Sequence, residues 1–312
     1  MEGSVMRTFP GPLKEAVRTV LSSRPSRASL RCVTRSHLLP AWLRSLVHRK
    51  VAKKTRFAEG MSFRVPVNGG IELELLHHGS ANYFYWLGEY EPGSTEVFCA
   101  LARQSETILD IGSNDGVYSL LAAASNPRAV VHAFEPGQQV ARICQQNLAL
   151  NPTLSSRVHL WQLALGNAVG RAPFYVVGGD GGNSSLNPSF RTESRVAVVD
   201  VLTGDAFLER EGVARVDLIK VDTESTEPAV LQGFRRCLAR DRPHILCEVL
   251  HGRTESQIES LLQPYGYKFY WVTREGIKHV ERIEGDPTYR FPNYLFSTAD
   301  LALDRTSITL PP

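Results

Sequence analysis

Two acids at the ends of successive apolar runs mark where this chain could do chemistry. Asp110-Ile111-Gly112-Ser113-Asn114-Asp115-Gly116 closes the first run, and Glu135 closes the second within Ala133-Phe134-Glu135-Pro136. Gly112 lets the backbone turn sharply and lets a ligand come close, while Gly116 lets the next element sit tightly on its neighbour. A carboxylate at the end of the second strand is placed to accept both hydroxyls of a ribose, so a nucleoside-containing ligand is implied. A dinucleotide site would present bare amides to a pyrophosphate through G-x-G-x-x-G. Here Asn114 replaces the second glycine, and Asp110 and Asp115 would repel a diphosphate. They suit a ligand bearing an ammonium and a sulfonium, which is S-adenosylmethionine. The plainer alternative is a turn that joins strand to helix, with Asp110 capping backbone amides.

These residues need a scaffold, and the hydrophobic pattern supplies one. From residue 107 the chain alternates: strand 107–111, helix 117–124, strand 129–134, helix 138–150, strand 158–163. An interruption over 166–200 carries strands near 172–177 and 195–201 around a Gly/Ser/Asn loop. The alternation resumes with strand 216–221, helix 228–239, strand 244–249, helix 255–262, and strands 268–272 and 294–297. Strands alternating with helices predict βαβ units and a doubly wound, Rossmann-like α/β sheet, whose ligands bind at the carboxyl ends of the strands. Ahead of it, Phe63, Val65 and Val67, then Ile71, Leu73 and Leu75, alternate as two strands around a hairpin turn at Asn68-Gly69-Gly70.

The charge is unevenly spread. Residues 1–56 hold 13 Lys+Arg against Glu2 and Glu15, a local charge of +11, and the remaining 256 residues carry −8. The expected organisation is a basic arm over 1–56, a β-rich extension over 57–106, and a catalytic domain over 107–312. Within the arm, Leu39, Trp42, Leu43, Leu46 and Val47 have helical spacing, predicting a basic amphipathic helix over 40–54. Such an arm is solvated, packs on the body, or docks on a membrane surface, a protein partner or nucleic acid; the last lacks the interleaved aromatics that stack on bases. No stretch has the ~20 apolar residues of a membrane span, and no secretory h-region follows the N-terminal charges. Cys32, Cys99, Cys144, Cys237 and Cys247 are odd in number, scattered and free of C-x-x-C pairs. That argues for free thiols in a reducing cytoplasm and against structural zinc. The acid-poor, Arg- and Ser-rich start also has the composition of an organellar transit peptide.

Several ordered segments together resemble the FkbM-type S-adenosylmethionine-dependent methyltransferases. Tyr85-Trp86-Leu87-Gly88-Glu89-Tyr90-Glu91-Pro92 resembles the segment ahead of that family's first strand, and 110–116 and 134–136 resemble its cofactor motifs. Ala164-Leu165-Gly166 resembles the step after its third strand, and Asn183-Ser184-Ser185-Leu186 its insertion. Lys220-Val221-Asp222-Thr223-Glu224-Ser225-Thr226-Glu227 resembles its I-D-x-E-G-x-E segment, with Ser225 where glycine is common. The resemblance implies a mostly parallel sheet with an antiparallel last strand and a β-hairpin insertion. It also implies a cofactor held around Asp110, Gly112, Asn114, Gly116, Glu135 and Ala164.

Its implied activity is methyl transfer to an oxygen of a small molecule or glycan. The sulfonium is already activated, so positioning supplies much of the rate, but a neutral hydroxyl must lose its proton. Asp222 is the first candidate base, with Glu248 and His251 as alternatives. Crowding by Glu224 and Glu227 can raise one carboxyl toward neutrality. Asp222, Glu224 and Glu248 also form a possible Mg²⁺ set of hard oxygens. Glu227, just before Pro228, is better read as an acid at a helix N-terminus, and Lys220 as an ion-pair partner. Tyr83, Tyr85 and Trp86 either cover the cleft or pack in a core. His77-His78 is expected as a surface or turn pair. A binding protein without turnover, or a macromolecular methyltransferase guided by the basic arm, are the competing readings.

Overall fold

The structure, a computed structural model, describes residues 31–32, 34–35, 57–67, 71–177, 184–187, 189, 195–304 and 307–309. The helix expected over 40–54, the turn at 68–70 and Asn183 lie outside the described residues. The chain divides into two compact units, 1–65 with 75–90 and 66–74 with 91–312.

The first unit is aromatic. Strands β1 (Ser62–Val67) and β2 (Ile71–Leu76) form a two-stranded sheet of which this unit holds 62–65 and 75–76, and helix α1 (Ala81–Leu87) ends in Gly88 with φ 79°. Phe57 stacks on His77 at 3.5 Å and 4°, and Tyr85 meets both rings edge-on at 5.4 and 4.4 Å. Trp86 is only 1% exposed. His77 lies in the turn after β2, packed by Phe57 instead of standing free. Arg35 satisfies the last carbonyls of α1: its Nε donates to Tyr85 O at 3.1 Å, and its guanidinium also donates to Phe84 O. A cation is favoured at this end of a helix, where carbonyls lack partners.

The second unit carries the sheet. Its elements in chain order are α2 (Ser94–Ala102), β3 (Thr107–Ile111), α3 (Val117–Ser125), β4 (Val130–Phe134), α4 (Gln138–Ala149) and β5 (Val158–Trp161). There follow β6 (Ala164–Gly166), β7 (Gly170–Val176), β8 (Arg195–Thr203), α5 (Gly204–Arg210) and β9 (Leu218–Val221). The chain continues through α6 (Glu227–Gln232), α7 (Arg235–Arg240), β10 (His244–Glu248), α8 (Glu255–Leu262), β11 (Lys268–Thr273), β12 (Gly276–Val280) and β13 (Asn293–Ser297).

Eight strands lie in the order β12-β11-β13-β10-β9-β3-β4-β5. β10, β9, β3, β4 and β5 are parallel neighbours, and β13 runs antiparallel to both β10 and β11. This is the expected doubly wound sheet with its reversed last strand. β12 is an extra antiparallel edge strand that the pattern did not announce, since its residues are half-exposed or exposed. The interruption is a separate three-stranded sheet, β6-β8-β7, built on an antiparallel β7–β8 ribbon.

Strand periodicity sorts the two faces of the large sheet. Ile111, Phe134, Val221, Cys247 and Tyr294 point into one apolar core with Phe207, Val230, Leu231 and Phe234. Their alternates Asp110, Lys220 and Glu248 point the other way, toward α3. The single helix expected over 228–239 is two short ones. Gly233 comes so near β6 that a Cβ there would lie 2.1 Å from Gly166 O, and the Asp205 carboxylate captures the amides of Arg236 and Cys237 at 2.8 and 3.0 Å. A side chain that accepts from free amides starts a new helix. Among the described residues no helix is long and apolar enough to cross a membrane, and all five cysteines are free thiols.

Candidate active site

The site forms where the sheet order reverses, at the carboxyl ends of β3 and β9. Gly112 and Gly116 have φ 79° and 81°, and Asn114 between them has φ 52°, so the loop needs three left-handed residues in five positions. Space forbids a side chain at the first: a Cβ on Gly112 would lie 1.8 Å from Asp222 O. The loop after β3 and the acidic loop after β9 are therefore in backbone contact.

Glu135 closes the loop from the other side. Its carboxylate accepts from Asn114 N at 3.1 Å and from Gly137 N at 2.8 Å. Burial nevertheless pushes its pKa up to about 7. Asp110, at 0% exposure, accepts from Ser119 Oγ at 2.6 Å, and burial raises its pKa while Lys220 pulls it back. Asp110 Oδ1, Ser113 Oγ and Asn114 Oδ1 are buried without a hydrogen-bond partner. Such atoms cost free energy until something binds them. Of the other cofactor candidates, Ala164 is buried in β6, inside the small sheet.

Lys220 is the hub of the polar face. Its Nζ donates to Asp222 Oδ2 at 3.2 Å, lies 4.0 Å from Asp110 Oδ1, and sits 4.6 Å from the centre of the Tyr118 ring. Burial opposes its charge, but Asp222, Asp110 and Glu91 together raise its pKa above that of an ordinary lysine. Glu91 was not anticipated as part of the site. It accepts from Tyr118 OH at 2.6 Å and from Asn293 Nδ2 at 3.1 Å, and Asn293 is the β13 partner of Glu248. No local spacing links residues 91, 118 and 293; a polar Asn at the start of an otherwise apolar strand was the one available signal.

Glu248 has a buried Oε2 without a hydrogen-bond partner, and burial followed by Asp222, Glu224, Glu227 and Glu91 raises its pKa well above the carboxylate range. His251 is turned elsewhere: its Nδ1 is 2.8 Å from Gly285 O and 3.9 Å from Glu255 Oε1. The structure thus gathers Asp110, Lys220, Asp222 and Glu248 on one face but engages His251 with the 285 segment. Among the described residues, no three His, Cys, Asp or Glu side chains are arranged to hold a metal ion. The Mg²⁺ set of Asp222, Glu224 and Glu248 is therefore not formed; the ammonium of Lys220 already supplies the positive charge beside Asp222.

The loop after Asp222 is strained and tied down. Glu224 and Ser225 have φ 55° and 82°, unusual for residues with a Cβ. Glu227, the first residue of α6, holds the loop from within: Oε1 accepts from Thr223 N, Thr223 Oγ1 and Ser225 N at 3.0–3.1 Å. Burial pushes its pKa up to about 7. The insertion grips the loop from outside. Ser185 Oγ donates to Glu224 O at 2.6 Å, and Asn187 Nδ2 donates to Ser225 Oγ at 2.8 Å. The Ser225 hydroxyl, absent from a glycine, is thus an anchor point for the insertion.

Comparison with known proteins agrees with this geometry. The family model described as "Methyltransferase FkbM domain" matches residues 110–269. The methyltransferase sdnD of Sordaria araneosa is 30% identical over 197 residues, covering 54% of this chain and 74% of that protein. The 2-O-methyltransferase NoeI of Sinorhizobium fredii is 26% identical over 161 residues, covering 47% of this chain and 65% of that protein. The 31-O-demethyl-FK506 methyltransferase FkbM of Streptomyces tacrolimicus is 26% identical over 160 residues, covering 42% of this chain and 60% of that protein. The chain thus spans somewhat under two thirds of the length of the latter two.

Proposed function

Because the chain belongs to the FkbM methyltransferase family, we propose that it transfers a methyl group from S-adenosylmethionine to a hydroxyl oxygen of a small molecule or glycan. The observation that carries this reading is the backbone contact of Gly112 with Asp222, which sets a nucleoside-binding loop directly against a candidate base. The names of NoeI and FkbM, both O-methyltransferases, support oxygen as the acceptor atom.

The residues present fit the cofactor. Glu135 offers a carboxylate to a ribose, and Asp110 Oδ1, Ser113 Oγ and Asn114 Oδ1, buried without a hydrogen bond, offer polar atoms to the ammonium and hydroxyls of such a ligand. When bound, the sulfonium supplies a methyl carbon ready for in-line displacement. The chain then has two tasks: to hold the acceptor oxygen about 3–3.5 Å from that carbon and to remove its proton. Asp222 takes the proton; its carboxylate is oriented by Lys220 at 3.2 Å and its side chain keeps 27% exposure, open to an incoming acceptor. Glu248, whose pKa burial and the neighbouring acids raise, and His251 are the alternative bases. The free thiols fit a reducing, cytoplasmic setting, and the basic arm over 1–56 serves docking on a membrane surface or a protein partner.

Titration with S-adenosylmethionine tests the assignment. Binding lost in Asp110→Ala and Glu135→Ala is expected; binding retained in both would remove this site. A labelled-methyl screen against fractionated cell extract then identifies the acceptor, and label on a nitrogen in place of an oxygen would overturn the O-methyl reading.

A further inference from the structure

A groove of about 500 Å³ opens between the β11–β12 edge of the sheet and the returning segment 281–287, on the face opposite Lys220. That volume falls within the range of small-ligand sites. The side chains along it stand in register: Lys278 opposite Trp271, and Trp271 opposite Tyr294. The polar handles of both aromatics are already used. Trp271 Nε1 donates to Phe291 O at 2.9 Å, and Tyr294 OH donates to Glu284 O at 2.6 Å. What Trp271 offers the groove is therefore the apolar surface of its ring.

The rim is polar and of mixed sign. Lys278, Glu281 and Glu284 line it, and their side chains make no hydrogen bond or ion pair among the described residues. Arg282 and Asp286 add one charge of each sign. An anionic ligand would meet the three acids and a cationic one the two bases, so neither gains from the whole rim. A neutral ligand with an apolar face and a hydroxylated edge suits all of it, stacking on the indole while its hydroxyls donate to the carboxylates and accept from Lys278. A pyranose ring has that chemistry.

The groove adjoins the catalytic end of the sheet. Gly285 in its wall takes the 2.8 Å contact from His251, and a Cβ on Gly285 would lie 2.5 Å from His251 Cα. The wall is therefore packed against the loop that follows Glu248, the last residue of β10. We propose that this groove is a saccharide-binding subsite holding one neutral sugar ring of a glycan acceptor. Its role rests on the methyl-transfer reading; its ability to bind sugar does not.

The test applies the full-length protein to an array of neutral and charged mono- to tetrasaccharides, alongside calorimetric titration with S-adenosylhomocysteine. The expected result is binding of neutral saccharides, weakened about tenfold in Trp271→Ala, kept in Trp271→Phe, and weakened in the rim variant Lys278→Ala/Glu284→Gln. All variants should bind S-adenosylhomocysteine as the parent does, which separates loss of the groove from loss of the fold. Absence of any neutral-saccharide binding, equal binding by Trp271→Ala and the rim variant, or a preference for charged saccharides would overturn the proposal. Saccharide binding without S-adenosylhomocysteine binding would leave the subsite standing and remove the methyl-transfer reading.

Discussion

Lys220 and Asp222, two residues apart at the end of β9, are joined through space by a 3.2 Å hydrogen bond from the ammonium to the carboxylate. The same ammonium neutralises buried Asp110, so one cation serves both the cofactor loop and the candidate base. Replacing Lys220 by Met keeps much of the bulk but strands two acids. Breaking a buried pair from one side costs about 3–5 kcal/mol. Urea unfolding of Lys220→Met should show a loss of that order, and a loss below ~1 kcal/mol would mean that the acids are neutral or hydrated without it.

Glu135 ties stability to pH, and on the proposed reading it ties cofactor binding to pH in the opposite sense. Its pKa rises from 4.5 to about 7 on folding because burial disfavours its anion. Between those values the native state holds more protons than the unfolded chain, so stability falls as pH rises from about 4.5 to about 7. Glu227, also at about 7, adds a slope of the same sign. Glu135→Gln should flatten part of this decline in unfolding measurements at pH 5 and pH 8. At pH 8 it should also bind S-adenosylhomocysteine about 10-fold or more weakly, through loss of charged hydrogen bonds to the ribose. An unchanged slope would show that Glu135 titrates normally.

Asp222→Asn removes a proton acceptor while keeping shape. Once an acceptor is in hand, kcat should fall by roughly 10²–10⁴-fold, the usual contribution of a general base. Affinity for S-adenosylhomocysteine should stay within about twofold, because the ribose and ammonium partners lie elsewhere. Full activity in Asp222→Asn would transfer the role to Glu248 or His251.

Ser225 separates strain from anchoring. In Ser225→Ala the positive φ remains and the Asn187 bond is lost, which should cost about 1 kcal/mol. In Ser225→Gly the bond is lost as well, but the backbone penalty of about 1–2 kcal/mol is released. The glycine variant should therefore be more stable than the alanine variant by that amount in denaturant titrations; equal stabilities would mean that φ 82° is not strained here.

Much of this was visible in the amino-acid order because it is local. The strand, glycine turn and helix at 107–125 and the acid ending β4 are read from neighbouring residues whose roles follow from backbone geometry. The β7–β8 ribbon was legible from its valines and its flanking loop. What escaped depends on partners far along the chain. Gly233 breaks a helix only because β6 passes 2.1 Å from its missing Cβ, and Asp205 starts the next helix from 31 residues away. Glu91 joins the site through Tyr118 and Asn293, contacts spanning 27 and 202 positions. The ion-pair role of Lys220 was legible, whereas the spacing of Asp222, Glu224 and Glu248 did not show that, among the described residues, their side chains are not arranged around one metal.

The reversed strand β13 also sets the order of events during synthesis. It is inserted between β10 and β11, and it brings Asn293 to Glu91 and to the flank of Glu248. A nascent chain that has emerged only through β11 holds every residue of the cofactor loop but has an open seam beside Glu248. Closing that seam is a pairing between distant segments, the slow kind of folding step. On the proposed reading, a chain made only as far as β11 would hold the whole cofactor loop before the flank of Glu248 is closed, so nucleoside binding would precede turnover.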